Sequence, residues 1–161
     1  MTKHFHDLFE QEDPAYEVFL ISHATVFDSG DDITEHIDRL SREARLVYLL
    51  WCFDGEIHNG GFNQFFTNSL GDYSLEILGY LKEIGAVESY ELLEKAMSWF
   101  PNSAPSTDQE LRWTQYEQFC EDANYDPSLD ALNQRFYEYK DNLASLINAY
   151  VKANPNAAIR A

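Results

Sequence analysis

Basic side chains are scarce in this chain. There are 11 Lys plus Arg against 28 Asp plus Glu, a formal net charge of −17 and a pI near 4.4. Such a field repels nucleic acid and anionic membrane and attracts basic partners, which excludes direct DNA binding through a basic patch. Cysteine is equally sparse. Cys52 and Cys120 each sit in an apolar-looking helical segment with no CxxC or Cys/His zinc spacing, and read as two reduced core thiols. The opening MTKHFHDLFEQED has no apolar export region, and no run elsewhere is long enough to cross a bilayer; a cytoplasmic location is expected. Period-two alternation, internal repeats, low-complexity tracts, a Gly-rich phosphate loop and a persuasive Ser/His/Asp order are all missing.

What is present is helical periodicity, with 45% hydrophobic and 15% aromatic residues to build a core. Residues 1–161 read as one all-α acidic domain, a compact bundle of about seven to nine helices, with 1–12 and 154–161 as frayed ends. Asp13 and Pro14 have the chemistry of an N-cap and first helical position, opening a helix with Ala15, Val18, Phe19 and Val26 near one face. Leu46, Val47, Leu50 and Trp51 form an apolar stripe, widened by Tyr48, Leu49 and Phe53. Asp72 reads as an N-cap and Gly85 as the left-handed end of the same helix. A further helix is expected from Ser89 to just before Pro101. Thr107 or Asp108 would cap the helix after the loop PNSAPSTDQE. The final amphipathic run, from Pro127 to Pro155, is one long helix or two with a break near Asp141. Trp99, Phe100, Trp113, Tyr116 and Phe119 read as core; so by default do Tyr125, Tyr137 and Tyr139, the alternative being partial exposure beside acids as contact area at an interface.

The densest chemistry lies in DGEIHNGGFNQFFTNSLG, Asp54–Gly71. As architecture it is a helix that ends at Gly55 or Glu56 and turns sharply through Asn59, Gly60 and Gly61, glycines supplying angles closed to other residues. Phe62, Phe65 and Phe66 then form one apolar face, while Glu56, Asn59 and Gln64 satisfy backbone groups at the broken helix ends. The alternative is a metal-dependent hydrolase using Asp54, Glu56 and His58. Their i, i+2, i+4 spacing gathers three side chains on one face only in a strand; in a helix Glu56 points away from the other two. The architectural reading is preferred, with no metal, no cofactor and no catalytic residue. His4 and His6 read as a chance pair near the terminus; His23 and His36 as isolated packed or solvent-facing side chains.

The pattern Glu56, Asn59-Gly60-Gly61-Phe62, Gln64-Phe65-Phe66, Asn68, with EIGA at Glu83–Ala86, resembles the small acidic helical DNA-mimic proteins of bacteria. That resemblance implies an all-α protein that performs no chemistry and whose partner is a basic DNA-binding protein. In the family's characterised member this is a helix-turn-helix transcription factor whose operator-binding surface is occupied; a dimeric factor of that kind is the expected partner. The signature residues are not the acids that do the mimicking.

Those acids must lie on the surface, where the charge is uneven. One group comprises Asp13, Glu17, Asp28, Asp31, Asp32, Glu35 and Asp38, in a stretch from Met1 to Leu40 whose only bases are Lys3 and Arg39. A second comprises Glu117, Glu121, Asp122, Asp126 and Asp130, with no base inside it. Residues four apart on a helix are about 6 Å apart along its axis, close to the spacing of phosphates along one strand's path. These twelve acids are the expected contact set, carboxylates standing in for phosphates, if Pro127 allows the second row to continue.

Overall fold

Capping chemistry sets the first helix. The computed structural model describes residues 13–27, 33–121 and 128–154, and α1 (Pro14–Phe27) begins where Asp13 accepts the Tyr16 amide at 3.1 Å. Then follow α2 (Ile33–Asp38), α3 (Arg42–Thr67), a 3-10 turn (Ser69–Tyr73), α4 (Ser74–Glu83), α5 (Val87–Met97), a second 3-10 turn (Pro101–Ser103), α6 (Gln109–Glu121), α7 (Ser128–Tyr137) and α8 (Leu143–Ala153). Every regular element among the described residues is helical, so the protein is all-α, with eight α-helices in that part. No helix among these residues is long and apolar enough to cross a membrane.

The chain divides into two compact units, Met1–Trp51 with Leu143–Ala161, and Cys52–Asn142. In the first, α1 packs on α8. Asn148 ties them, accepting the Ala15 amide and donating to Asp13, both at 2.9 Å. Ala15, Val18 and Val26 are buried as the spacing predicts, with Leu143, Ile147 and Val151 from α8. Leu46 to Leu50 are all buried, because α3 is covered on more than one side there. Phe19 stacks on Tyr48 and Trp51 at 5.7 Å, and half-buried His23 lies 5.4 Å from Phe19; His36 is buried. His4 and His6 lie outside the described residues.

The second unit is built on phenylalanine. Phe53, Phe62, Phe65 and Phe66 are fully buried and meet Phe100 and Phe136 at centroid distances from 4.7 to 6.4 Å; each such burial contributes about 1.5–3 kcal/mol. Helix α4 packs on α5, and α5 on α7. Gly85 (φ 77°) ends α4, with Ala86 N bonded to Leu81 O and Gly85 N to Lys82 O, a complete Schellman arrangement. Helix α5 starts at Val87, two residues before the expected Ser89, and its N-cap Ala86 has no acceptor side chain. Asp141 supplies one from 52 residues away, accepting Ser89 N at 2.7 Å. The expected break near Asp141 therefore separates α7 from α8 and caps a third helix.

One boundary differs from the sequence expectation. Helix α3 does not end at Gly55 or Glu56; it runs on through Asn59 and breaks at Gly60 (φ −149°, ψ 16°) and Gly61 (φ 70°, ψ −171°). Gly55 faces open space and is tolerated in the helix, at a cost of about 1 kcal/mol. Gly61 occupies a region essentially closed to other residues, and a Cβ there would lie 2.4 Å from Nδ2 of Asn133. Gly85 has the same sign of φ but nothing within 4 Å. Gly85→Ala should thus cost only the backbone term, about 1–2 kcal/mol, whereas Gly61→Ala should cost about 3 kcal/mol or more. Urea unfolding followed by circular dichroism checks the order; equal losses would refute the steric account.

Candidate functional site: the end of the signature helix and the acidic face it holds

The signature side chains bond mainly to one another. Asn59 Nδ2 donates to Gln64 Oε1 at 2.8 Å, Gln64 Nε2 donates to Glu56 Oε2, and Asn68 Nδ2 reaches both Glu56 oxygens at 3.0 Å. This corrects the expectation that Glu56, Asn59 and Gln64 serve backbone groups at the break. The exposed amide there, Phe62 N, is met instead by Asn133 Oδ1 at 2.9 Å, from α7. Glu56 is thereby turned to the second half of its own helix, across the break from its own turn. Asp54 and His58 do meet, Nδ1 to Oδ1 at 3.1 Å, but Glu56 does not join them. No three His, Cys, Asp or Glu among the described residues converge in a way that could hold a metal ion. The geometry of the proposed hydrolase triad fails on Glu56.

The Asp54 carboxylate instead belongs to an aromatic corner. Tyr139 Oη donates to its Oδ2 at 3.0 Å, and the His58 ring lies edge-on to Phe136 and Tyr139, each at 5.3 Å. Tyr139 adopts φ 51° to close α7, and Tyr137 Oη donates to Ile57 O at 3.1 Å.

Beyond the break, the C-terminal end of α3 presents carbonyls with no partner inside the helix. They are met by side chains of the first turn of α6. Arg112, fully buried, donates Nε to Phe66 O at 2.7 Å and Nη2 to Asn68 O at 2.8 Å. Gln109 Nε2 donates to Thr67 O at 3.0 Å. Arg112 Nη1 also donates to Ser106 O at 2.6 Å and lies 2.7 Å from Asp72 Oδ1. Asp72 is therefore the counter-ion of a buried guanidinium, not the N-cap the sequence suggested; α4 starts at Ser74, with Tyr73 as its N-cap residue. Gly71 leaves the room, since a Cβ there would lie 2.5 Å from Arg112 Nε. A cation at the negative end of the helix dipole is well placed. Arg112 has no counterpart in the sequence expectations.

Helix α6 is otherwise unlike the rest. Asp108 caps it, accepting Leu111 N at 2.8 Å, and Arg112 is its only fully buried side chain. Trp113, expected in the core, is 48% exposed. Cys120 is exposed and Cys52 only half-buried, so neither is a core thiol. Trp99 and Phe119 stack at 5.2 Å and are half-buried with Tyr116; Phe100 is core as expected. Tyr137 is 40% exposed, and Tyr125 lies outside the described residues. At 100° per residue, Arg112, Tyr116 and Phe119 point inward. Glu110, Glu117 and Glu121 fall opposite, within about 40° of one another. All three are exposed and none is in an ion pair among the described residues.

The other described contact acids, Asp13, Glu17, Glu35, Asp38 and Asp130, lie outside α6. Asp13 caps α1, and Glu17 is half-buried in its first turn. Glu35 pairs with Arg39 at 3.5 Å and Asp38 pairs with Arg45, surface pairs of small energetic weight. Asp130 is exposed in the first turn of α7, where a carboxylate suits the helix dipole. Asp28, Asp31, Asp32, Asp122 and Asp126 lie outside the described residues. Glu110 was absent from the expected set; only the inward direction of Arg112 reveals which side of α6 faces out.

Two tests follow from this geometry. Arg112→Met should lower the unfolding free energy by about 3–5 kcal/mol, because three carbonyls lose their donors and Asp72 its counter-ion. Arg112→Lys should recover little of it, since one ammonium cannot span the forked acceptors; full recovery in urea unfolding would refute the account. Burial holds the Asp54 carboxyl above its ordinary value of 3.8, outweighing the Tyr139 hydrogen bond and His58. A carboxyl raised on folding adds stability below its unfolded pKa, and that contribution is lost as pH rises through the folded value. Asp54→Asn should therefore raise Tm near neutral pH, with a gain that shrinks as pH falls toward about 4. A gain independent of pH would show that the charge is not the cause.

Neither the curated proteins nor the solved structures yielded a match to this chain. The family model described as DMP19-like protein matches residues 38–154. That span covers both halves of the broken helix, the Arg112 capping cluster and the outer row of α6, and the chain belongs to the DMP19-like protein family.

Proposed function

We propose that this protein is a DNA mimic that occupies the basic DNA-binding surface of another protein and keeps it from its operator, carrying out no reaction itself. The observation that carries the reading is the outer row of α6: Glu110, Glu117 and Glu121, unopposed by bases, on a helix fastened from beneath by a buried arginine. Their axial separations, about 10 Å and about 6 Å, are of the order of phosphate spacing along a strand. Membership of the DMP19-like family and the net charge of −17 support the same reading. Asp122, Asp126, Asp130 and the acids of Asp13–Asp38 are, in this reading, further contacts to the partner.

The partner in this reading is a cytoplasmic helix-turn-helix transcription factor, dimeric like many operator-binding proteins. Its surface already carries Lys and Arg disposed for phosphates. Carboxylates on a packed helix meet that surface without the ordering cost that a flexible acidic tail would incur.

The test is capture at low salt from a lysate of the source organism, with release by duplex DNA. The captured protein should bind DNA by itself and lose its operator when this chain is added. Its affinity should fall roughly tenfold or more between low and moderate salt. Glu117→Lys with Glu121→Lys should abolish binding while the helical circular dichroism stays intact. A partner that is not released by DNA, or an affinity flat across that salt range, would overturn the proposal.

A further inference from the structure

Beside the acidic row, Gln109, Glu110 and Trp113 line an open notch of about 280 Å³ on the first turns of α6. Its chemistry is one-sided. The Gln109 amide nitrogen is held by Thr67 O at 3.0 Å, which leaves Oε1 as its free acceptor among the described residues. Glu110 adds a carboxylate with no ion-pair partner there, and Trp113 adds an indole, 48% exposed, with no ring partner there. An acceptor oxygen, an anion and the negative face of an aromatic ring all favour a cation that donates several hydrogen bonds. The positive end of the helix dipole opposes a cation at this position, but Glu110 and the capping Asp108 offset it.

Size and shape narrow the ligand. The notch falls below the ~300–1,000 Å³ of small-molecule sites and is open rather than enclosed, so it suits one side chain of a larger partner. Among the described residues only one aromatic wall lines the notch, which makes no cage for a quaternary ammonium. A planar guanidinium can stack on the indole and donate edge-on to Glu110 and Gln109 together, which a lysine ammonium cannot do. We infer that this notch is an arginine subsite, in which one arginine of a basic protein partner stacks on Trp113 and donates to Glu110 and Gln109. The inference rests on the proposed function for the existence of such a partner, and it assigns Trp113 as the residue that selects arginine over lysine.

The test uses the whole protein and two matched probes, an oligoarginine and an oligolysine peptide, at the same low ionic strength. Oligoarginine should bind about 2- to 5-fold tighter, the amount an exposed cation–π contact supplies. Trp113→Ala should bring that ratio close to one and leave oligolysine affinity unchanged; Trp113→Phe should keep part of it. In the wild type, the NMR signal of the Trp113 indole N–H should move with oligoarginine and stay still with oligolysine. If the ratio survives Trp113→Ala, or the indole signal does not move, the subsite is overturned. Should both peptides bind in that case, and both weaken in Glu117→Gln with Glu121→Gln, the acidic row stands without the subsite. If neither peptide binds, the subsite and the acidic surface fall together.

Discussion

A single buried cation organises the second unit of this strongly acidic protein. Arg112 is one of 11 basic residues and is wholly inside, where an unpaired charge would be prohibitive. It is tolerated because three carbonyls receive its donors and the Asp72 carboxylate lies beside it as counter-ion. The same bonds solve a second problem, the open carbonyls that any helix leaves at its C-terminal end. The break at Gly60–Gly61 re-aims the last turns of α3 so that Phe62, Phe65 and Phe66 enter the core. Their helix must then end abruptly, and Gly71 clears the space in which a guanidinium can finish it. Glycines, phenylalanines, amides and arginine form one mechanical unit, although Arg112 is 41 residues beyond the nearest of them, Gly71.

That unit explains how α6 stays in place without an apolar stripe. A surface helix ordinarily docks through a broad hydrophobic face. Here the inward side holds Arg112, with Tyr116 and Phe119 only half-buried. Hydrogen bonds from Arg112 and Gln109 to carbonyls at or just beyond the end of α3 do the docking. The outer side is thus free of packing duties and can carry carboxylates in a row. Side-by-side anions repel one another, and a helix fixed from beneath resists relief of that strain by moving.

Much of the fold was legible because capping is local. Asp13 with Pro14, Gly85 and Asp108 each occupy the position their chemistry indicated. So does the apolar stripe of α3, where Leu46 through Leu50 are buried. What escaped was long-range. Asp72 has the look of a cap, yet its partner is an arginine 40 residues away; α5 lacks a cap in its own sequence because Asp141 provides one. Gly55 resembles a helix stop in sequence, and only its open surroundings permit it inside the helix. Trp113 and Cys120 look like core residues in sequence, but α6 has no apolar face to bury them. A lone arginine among polar residues carries no periodic signal, so nothing local marked Arg112 as buried. Without its direction, Glu110 could not be aligned with Glu117 and Glu121.

The exposed Trp113 bears on what the acidic face resembles. A row of carboxylates alone reproduces only the phosphate backbone, the part of DNA that positions a reader without identifying it. Readers also carry arginines that meet base edges next to that backbone, arginine on guanine being the commonest specific contact. An indole face and a free amide oxygen beside Glu110 offer such an arginine a flat aromatic surface and a neutral acceptor, within one helical turn of an anion. In the proposed function the row and the notch together would discriminate more finely than charge does. Lysine-rich surfaces would be attracted to the row, and arginine-bearing ones would be held at the notch.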